Sequence, residues 1–127
     1  MWTVTLSLRR ETRLAQRVLF VCGKARMRSP TAAQMAAEWF DVDVDFAGLS
    51  RDADEHFTRE HLEWADLVVV MERRQSKRMT SLMGALPKST RLACLSIPDQ
   101  FQFMQPELIA LLRQKLPAIL TKASLRA

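Results

Sequence analysis

The strongest constraint on the fold lies in residues 17–40, where an apolar run, a charged loop and a helix-forming stretch follow one another without a linker. Val18-Leu19-Phe20-Val21 is short and continuously apolar, the pattern of a strand buried on both faces. The stretch Thr31-Ala32-Ala33-Gln34-Met35-Ala36-Ala37-Glu38-Trp39-Phe40 is rich in good helix formers. A strand handed directly to a helix is the first half of a βαβ unit, and the next strand must then run parallel to the first.

The remainder of the chain keeps this alternation. Strands are expected at 17–22, 42–47, 66–71 and 90–96, with helices at 29–40, 55–64, 73–84 and 106–120. The last helix has Pro106 at its start and an apolar stripe of Leu108, Leu112, Leu116, Ile119 and Leu120, and Pro117 is expected to kink it or end it early. The pattern predicts an α/β fold of three layers, α/β/α, with a four-stranded parallel sheet covered by helices on both faces. With 127 residues, 48% of them hydrophobic, the chain is long enough for one domain with a substantial core, read as 17–127. Residues 1–16 read as an N-terminal extension, partly disordered, although Trp2, Val4, Leu6 and Leu8 alternate with polar residues as in an edge strand.

Between the first strand and helix lies Cys22-Gly23-Lys24-Ala25-Arg26-Met27-Arg28-Ser29-Pro30, a Cys-x5-Arg-Ser loop. Its backbone N–H groups and the following helix N-terminus direct positive potential at one point, which favours a thiolate and the phosphate that it attacks. Residues 23–28, namely Gly23, Lys24, Ala25, Arg26, Met27 and Arg28, are the candidate phosphate cradle. The Arg28 guanidinium matches phosphate oxygens bidentately. Ser29 stands where an N-cap is expected, with Pro30 at the first helical position; its hydroxyl could instead turn toward the Cys22 sulfur. The competing reading is a core cysteine followed by a surface arginine.

A cysteinyl-phosphate route also needs an acid for the leaving oxygen. Asp99, in Leu95-Ser96-Ile97-Pro98-Asp99-Gln100-Phe101, follows the apolar run Leu92-Ala93-Cys94-Leu95. Loops leaving the carboxyl ends of parallel strands meet at one rim, so Asp99 and Cys22 should face each other there. Taken alone, an Asp beside Pro is a turn residue.

These residues, in order, resemble the low-molecular-weight protein tyrosine phosphatase family, in particular its short bacterial forms. The resemblance rests on Val18-Leu19-Phe20-Val21-Cys22, Arg28-Ser29-Pro30-Thr31-Ala32, Ala47-Gly48-Leu49-Ser50, Ala65-Asp66-Leu67-Val68-Val69-Val70-Met71 and Ile97-Pro98-Asp99. It implies a sheet order of 2-1-3-4, Cys22 as nucleophile, Arg28 as phosphate ligand, Ser29 as support for the thiolate and Asp99 as general acid and then base. It also implies no cofactor or metal, and a substrate that is a phosphotyrosine protein or a small aryl phosphate. The chain departs from the family pattern at Ala25, where an asparagine usually braces the loop, and at Met27, where larger members carry a second cysteine. Gln100 replaces the usual proline after the acid, and the segment between Gly48 and Asp66, which normally walls the cleft, is shorter.

Ser50, Phe101 and Phe103 are the further candidates for the substrate cleft, the two rings as a sandwich for a substrate ring. The net charge is +5, concentrated in Lys24, Arg26 and Arg28 and in a second cluster, Arg73, Arg74, Lys77 and Arg78. The second cluster is either a solvated helix face or a flank of the cleft that favours acidic or multiply phosphorylated substrates. Basic charge alone would suit nucleic acid, but the aromatic residues mostly fall in apolar runs, so neither nucleic acid nor membrane is expected as a partner. Two cysteines, no signal-peptide pattern and no apolar run near 18 residues lead to the expectation of a cytoplasmic protein with reduced thiols. His56 and His61, the only histidines, read as surface residues of a helix, and no metal cluster or Ser-His-Asp triad can be assembled around them. Two alternatives stay open: an arsenate reductase of the same fold, for which Cys94 is the only further thiol and reads as inert core, and a phospho-binding module that has lost turnover.

Overall fold

The computed structural model describes residues 16–120. Four strands, β1 Gln16–Cys22, β2 Val42–Gly48, β3 Leu67–Val70 and β4 Arg91–Cys94, alternate with four helices, α1 Arg28–Trp39, α2 Arg59–Trp64, α3 Arg73–Met83 and α4 Pro106–Ile119. The sheet is parallel throughout and its order is β2-β1-β3-β4. Expectations for 1–16 fall on residues outside the described ones, except that Gln16 already belongs to β1.

Hydrophobicity along each strand follows its place in the sheet. β1 and β3 are central, and Val18 to Val21 and Val68 to Val70 are wholly inaccessible, as strands covered on both faces must be. Val18, Phe20, Leu67 and Val69 face α1 and α4, packing on Ala32, Met35, Ala36, Leu108, Leu112 and Leu116. Leu19, Val21, Val68 and Val70 face the other way, onto Phe57, Leu62 and Met79. Alanines at 32, 33 and 36 let α1 lie close to the sheet. By contrast β4 is an edge with β3 as its one strand neighbour, and Leu92 and Cys94 are exposed. Cys94 is therefore not a core residue, because the edge position leaves its face of the strand uncovered.

Three local expectations are corrected. First, helix α1 begins at Arg28, with Met27 as N-cap, so Ser29 is an interior residue of the first turn and Pro30 sits third in the helix. Second, α2 begins at Arg59 and not at 55, because Thr58 caps it: the Thr58 hydroxyl accepts from the His61 backbone N–H, and the His61 ring accepts the Thr58 N–H at 3.0 Å. His56 lies before the helix, in an isolated bridge with Gly48, and only His61 is helical. Third, α4 continues through Pro117 to Ile119, since Pro117 lies in the last turn and the final bond, Leu120 N–H to the Leu116 carbonyl, does not need it.

All four strands point their carboxyl ends to one rim. Cys22 pairs in register with Gly48, and Val70 with Cys94, so the loops that follow start side by side.

Candidate active site

At that rim a cavity of about 660 Å³ is lined by Cys22, Gly23, Lys24, Arg26, Met27, Arg28, Leu49 and Ser50, by Arg74, Gln75 and Arg78 of α3, and by Asp99. The topology thus brings Ser50 and Asp99, which are distant in sequence, to the loop that carries Cys22 and Arg28. Cys22 is the last residue of β1 and is almost wholly buried. The chain then turns around its sulfur: the Ala25 N–H points to Sγ at 3.3 Å, and Ser29 Oγ lies 3.0 Å away, fully buried. Ser29 reaches the sulfur because it sits inside the helix and not at its cap.

Ala25 closes this turn with φ of 59°, a left-handed conformation that an L-residue with a Cβ adopts at a cost. Its side chain makes no brace, and the brace is supplied from outside the loop. Residues 49–54 fold across it: the Leu49, Ser50 and Asp54 N–H groups donate to the carbonyls of Cys22, Gly23 and Lys24, at 3.1, 2.8 and 2.9 Å. Two ion pairs add to this, Lys24 with Asp52 at 3.3 Å and Arg26 with Asp54 at 2.9 Å. The Ser50 hydroxyl donates to Asp52 at 2.6 Å and, with Lys24, holds the Asp52 carboxyl below its ordinary value. The segment after Gly48 is thus a strap across the cysteine loop.

Arg28 is buried among acceptors. Nη1 donates to Glu72 at 2.5 Å and to the Ile97 carbonyl at 2.7 Å, while Nε lies 3.8 Å from Asp99. One guanidinium therefore ties the cysteine loop to the loop after β3 and to the loop carrying Asp99. Nη2 has no protein partner among the described residues, which leaves donors for an anion in the cavity. Burial pushes the Glu72 carboxyl up, but hydrogen bonds from Arg28 and Arg74, with their charges, outweigh burial and hold it below its ordinary value. Gln75 is buried and its Oε1 accepts the Met71 and Glu72 N–H groups, both at 2.8 Å, which fixes the start of α3.

Asp99 is exposed at the cavity mouth, on a loop whose neighbours Leu95 and Ile97 are buried and so hold it in place. Phe101 and Phe103 do not join it. Phe101 packs into the core beneath α4 and Phe103 is exposed outside the cavity, because the loop turns inward at Phe101 to bury its ring. The cavity lining contains no aromatic ring. Among the described residues no cluster of three or more His, Cys, Asp or Glu side chains is arranged to hold a metal ion, and no helix is long and apolar enough to cross a membrane.

Glu72 and Gln75 are the site residues that sequence reasoning passed over. The signal was present in Glu72-Arg73-Arg74-Gln75 directly after an apolar run, the E-x-x-Q form of a helix start. The partnership of Glu72 with Arg28 needs the sheet order as well.

No family sequence profile and no curated protein sequence matches the chain. Solved structures do. Wzb of Vibrio vulnificus, crystallised with benzylphosphonate, superposes with a TM-score of 0.67 at 17% identity, over 82% of this chain and 96% of its own. The low-molecular-weight protein tyrosine phosphatase of Streptococcus pyogenes gives 0.66 at 12% identity, over 84% and 95%. The YwlE arginine phosphatase of Geobacillus stearothermophilus gives 0.58 at 21% identity, over 82% and 87%. The chain has the low-molecular-weight protein tyrosine phosphatase fold.

Proposed function

We propose that the protein is a phosphomonoester hydrolase acting on phosphotyrosine through a cysteinyl-phosphate at Cys22. One observation carries the reading: the Cys22 sulfur sits at the floor of the cavity within reach of the Ser29 hydroxyl and the Ala25 N–H, with Arg28 beside it and Asp99 at the mouth. In the first step the Cys22 thiolate attacks phosphorus, an S–P bond forms and the ester P–O bond breaks. Asp99 gives its proton to the leaving oxygen, while loop N–H groups and the free face of Arg28 hold the three phosphoryl oxygens. In the second step the Asp99 carboxylate takes a proton from water, the water oxygen attacks phosphorus, and the S–P pair returns to sulfur. The Ser29 hydroxyl then donates to the thiolate as it leaves. Met27 and Leu49 are the apolar part of the lining and would support the phenyl ring in place of aromatic residues.

The fold is shared with proteins described as tyrosine and as arginine phosphatases. Charge favours the former here, since a guanidinium leaving group would enter between Lys24, Arg26, Arg74 and Arg78. Arsenate reduction is disfavoured because Cys94, the chain's only other cysteine, is exposed on β4 and does not line the cavity. A thiol nucleophile also fits the reducing cytoplasm expected for this chain.

The test is phosphate release from phosphotyrosine, phosphoserine and a small aryl phosphate. The wild type should hydrolyse the aryl esters, and Cys22→Ser should be inactive on all of them; surviving activity in that variant would sink the covalent route. Asp99→Asn should lose about 100-fold or more on esters with poor leaving groups and less on activated aryl esters. Absence of any turnover by the wild type, with phosphopeptide binding retained, would select the phospho-binding alternative.

A further inference from the structure

The cavity has an asymmetric ring of cations around it. Lys24 is paired with Asp52, Arg26 with Asp54, and Arg28 with Glu72. Arg74 leans on the same carboxylate, its Nε 3.1 Å from Glu72 Oε2, and so shares an anion already engaged by Arg28. Arg78 lines the cavity and has no ion pair or hydrogen bond among the described residues. Arg74 and Arg78 are four residues apart on α3, hence on one face and about 6 Å apart along the axis. Their helix starts at the rim from which the Cys22 loop leaves, so this pair extends the cationic lining outward from the phosphate cradle.

Resting on the phosphatase reading above, we propose that Arg78, with Arg74, binds a second anionic group of the substrate peptide, next to the scissile phosphate. The site thereby selects acidic or doubly phosphorylated peptides. The one anionic side chain lining the cavity is Asp99, and it lies against Arg28, not on α3. A carboxylate or phosphate beside Arg78 would complete the only cation of the lining that lacks a counterion, whereas a basic residue there would meet like charge. Arg78 is a specificity residue in this scheme; the bond-breaking steps do not involve it.

The experiment compares kcat/KM for matched phosphotyrosine peptides whose neighbours are neutral, glutamate, a second phosphotyrosine or lysine. Wild type should favour the glutamate and doubly phosphorylated peptides over the neutral one by about two- to fivefold, the range for ion pairs that stay partly solvated, and disfavour the lysine peptide. Raising the salt should shrink the ratio. Arg78→Gln should bring it close to one and Arg78→Lys should retain part of it. Lys77→Gln removes the same charge from the same helix outside the cavity, and should leave the ratio as it is. Equal ratios in wild type and Arg78→Gln, or a wild-type preference for neutral or lysine peptides, would overturn the proposal. The Kd ratio for the same peptides on Cys22→Ser, with and without Arg78→Gln, repeats the comparison without turnover. It decides the role of Arg78 even if the wild type hydrolyses none of them, a result that would count against the phosphatase reading alone.

Discussion

Arg28 shows how much of the candidate site depends on partners that no spacing rule selects. Its position six residues after Cys22 is legible in the sequence, but the direction of its guanidinium is set by Glu72 and the Ile97 carbonyl, which reach it only because β3 lies between β1 and β4. Glu72→Gln keeps the shape and removes the charge. We expect it to cost about 1–3 kcal/mol in urea unfolding at neutral pH, at the lower end for a buried pair because Glu72 is a quarter exposed, and to raise KM. The pH dependence has a definite sign. Arg28 and Arg74 hold the Glu72 carboxyl below its ordinary 4.5, so its stabilisation is present in full above that value and is lost as the pH falls through the lower folded-state value. The wild-type advantage over Glu72→Gln should therefore be constant from pH 7 to about 5 and vanish in more acid solution. A gap that widens on acidification would contradict this account. Phe101 and Phe103 teach the reverse lesson: proximity in sequence to Asp99 said nothing about which ring the core would claim.

Among the elements, the strap at 49–54 holds the cysteine loop by main-chain bonds and is the least visible in the sequence. Strand and helix positions follow from apolar runs and periodicity, and their order along the chain was readable to within a few residues. The strap has no periodicity, and its main-chain bonds to the cysteine loop leave no trace in residue types beyond two aspartates opposite two basic residues. Its start is Gly48, where a Cβ would stand 2.6 Å from the Gly23 carbonyl oxygen, 2.7 Å from Ala53 Cβ and 2.8 Å from the Lys24 carbonyl carbon. Two of these are backbone atoms of the cysteine loop and cannot swing aside. Gly48→Ala should displace the loop, costing about 2 kcal/mol or more in stability and at least tenfold in kcat/KM on an aryl phosphate. Gly23→Ala, where a Cβ would meet nothing within 4 Å, is the matched control for adding a methyl and should cost far less stability. Similar losses in both would mean that the strap does not brace the loop.

For the whole molecule, the two faces of the sheet carry unequal duties. One core, under α2 and α3, includes Leu62 and Met79. The other, under α1 and α4, includes Ile97 and Phe101, which flank Asp99, and the Met104 N–H donates to Thr31 of α1 at 2.9 Å. The Asp99 loop is therefore seated on the second core and the cysteine loop is continuous with α1, so packing there sets the distance between Cys22 and Asp99. Leu112 is fully buried in that core, and Leu112→Ala should cost about 2–5 kcal/mol. Leu62→Ala, on the opposite face, should cost a similar amount. The two should differ in where they loosen the fold. By native-state hydrogen exchange, Leu112→Ala should speed exchange across residues 95–105 beyond the global loss of stability, and, if Asp99 is the acid proposed above, it should lower kcat more on poor leaving groups than on activated ones, as Asp99 becomes mispositioned. Leu62→Ala should lower stability without that leaving-group dependence. If both variants speed exchange uniformly and lose activity equally on all esters, then the acid loop is held by its own local contacts and not by the core beneath it.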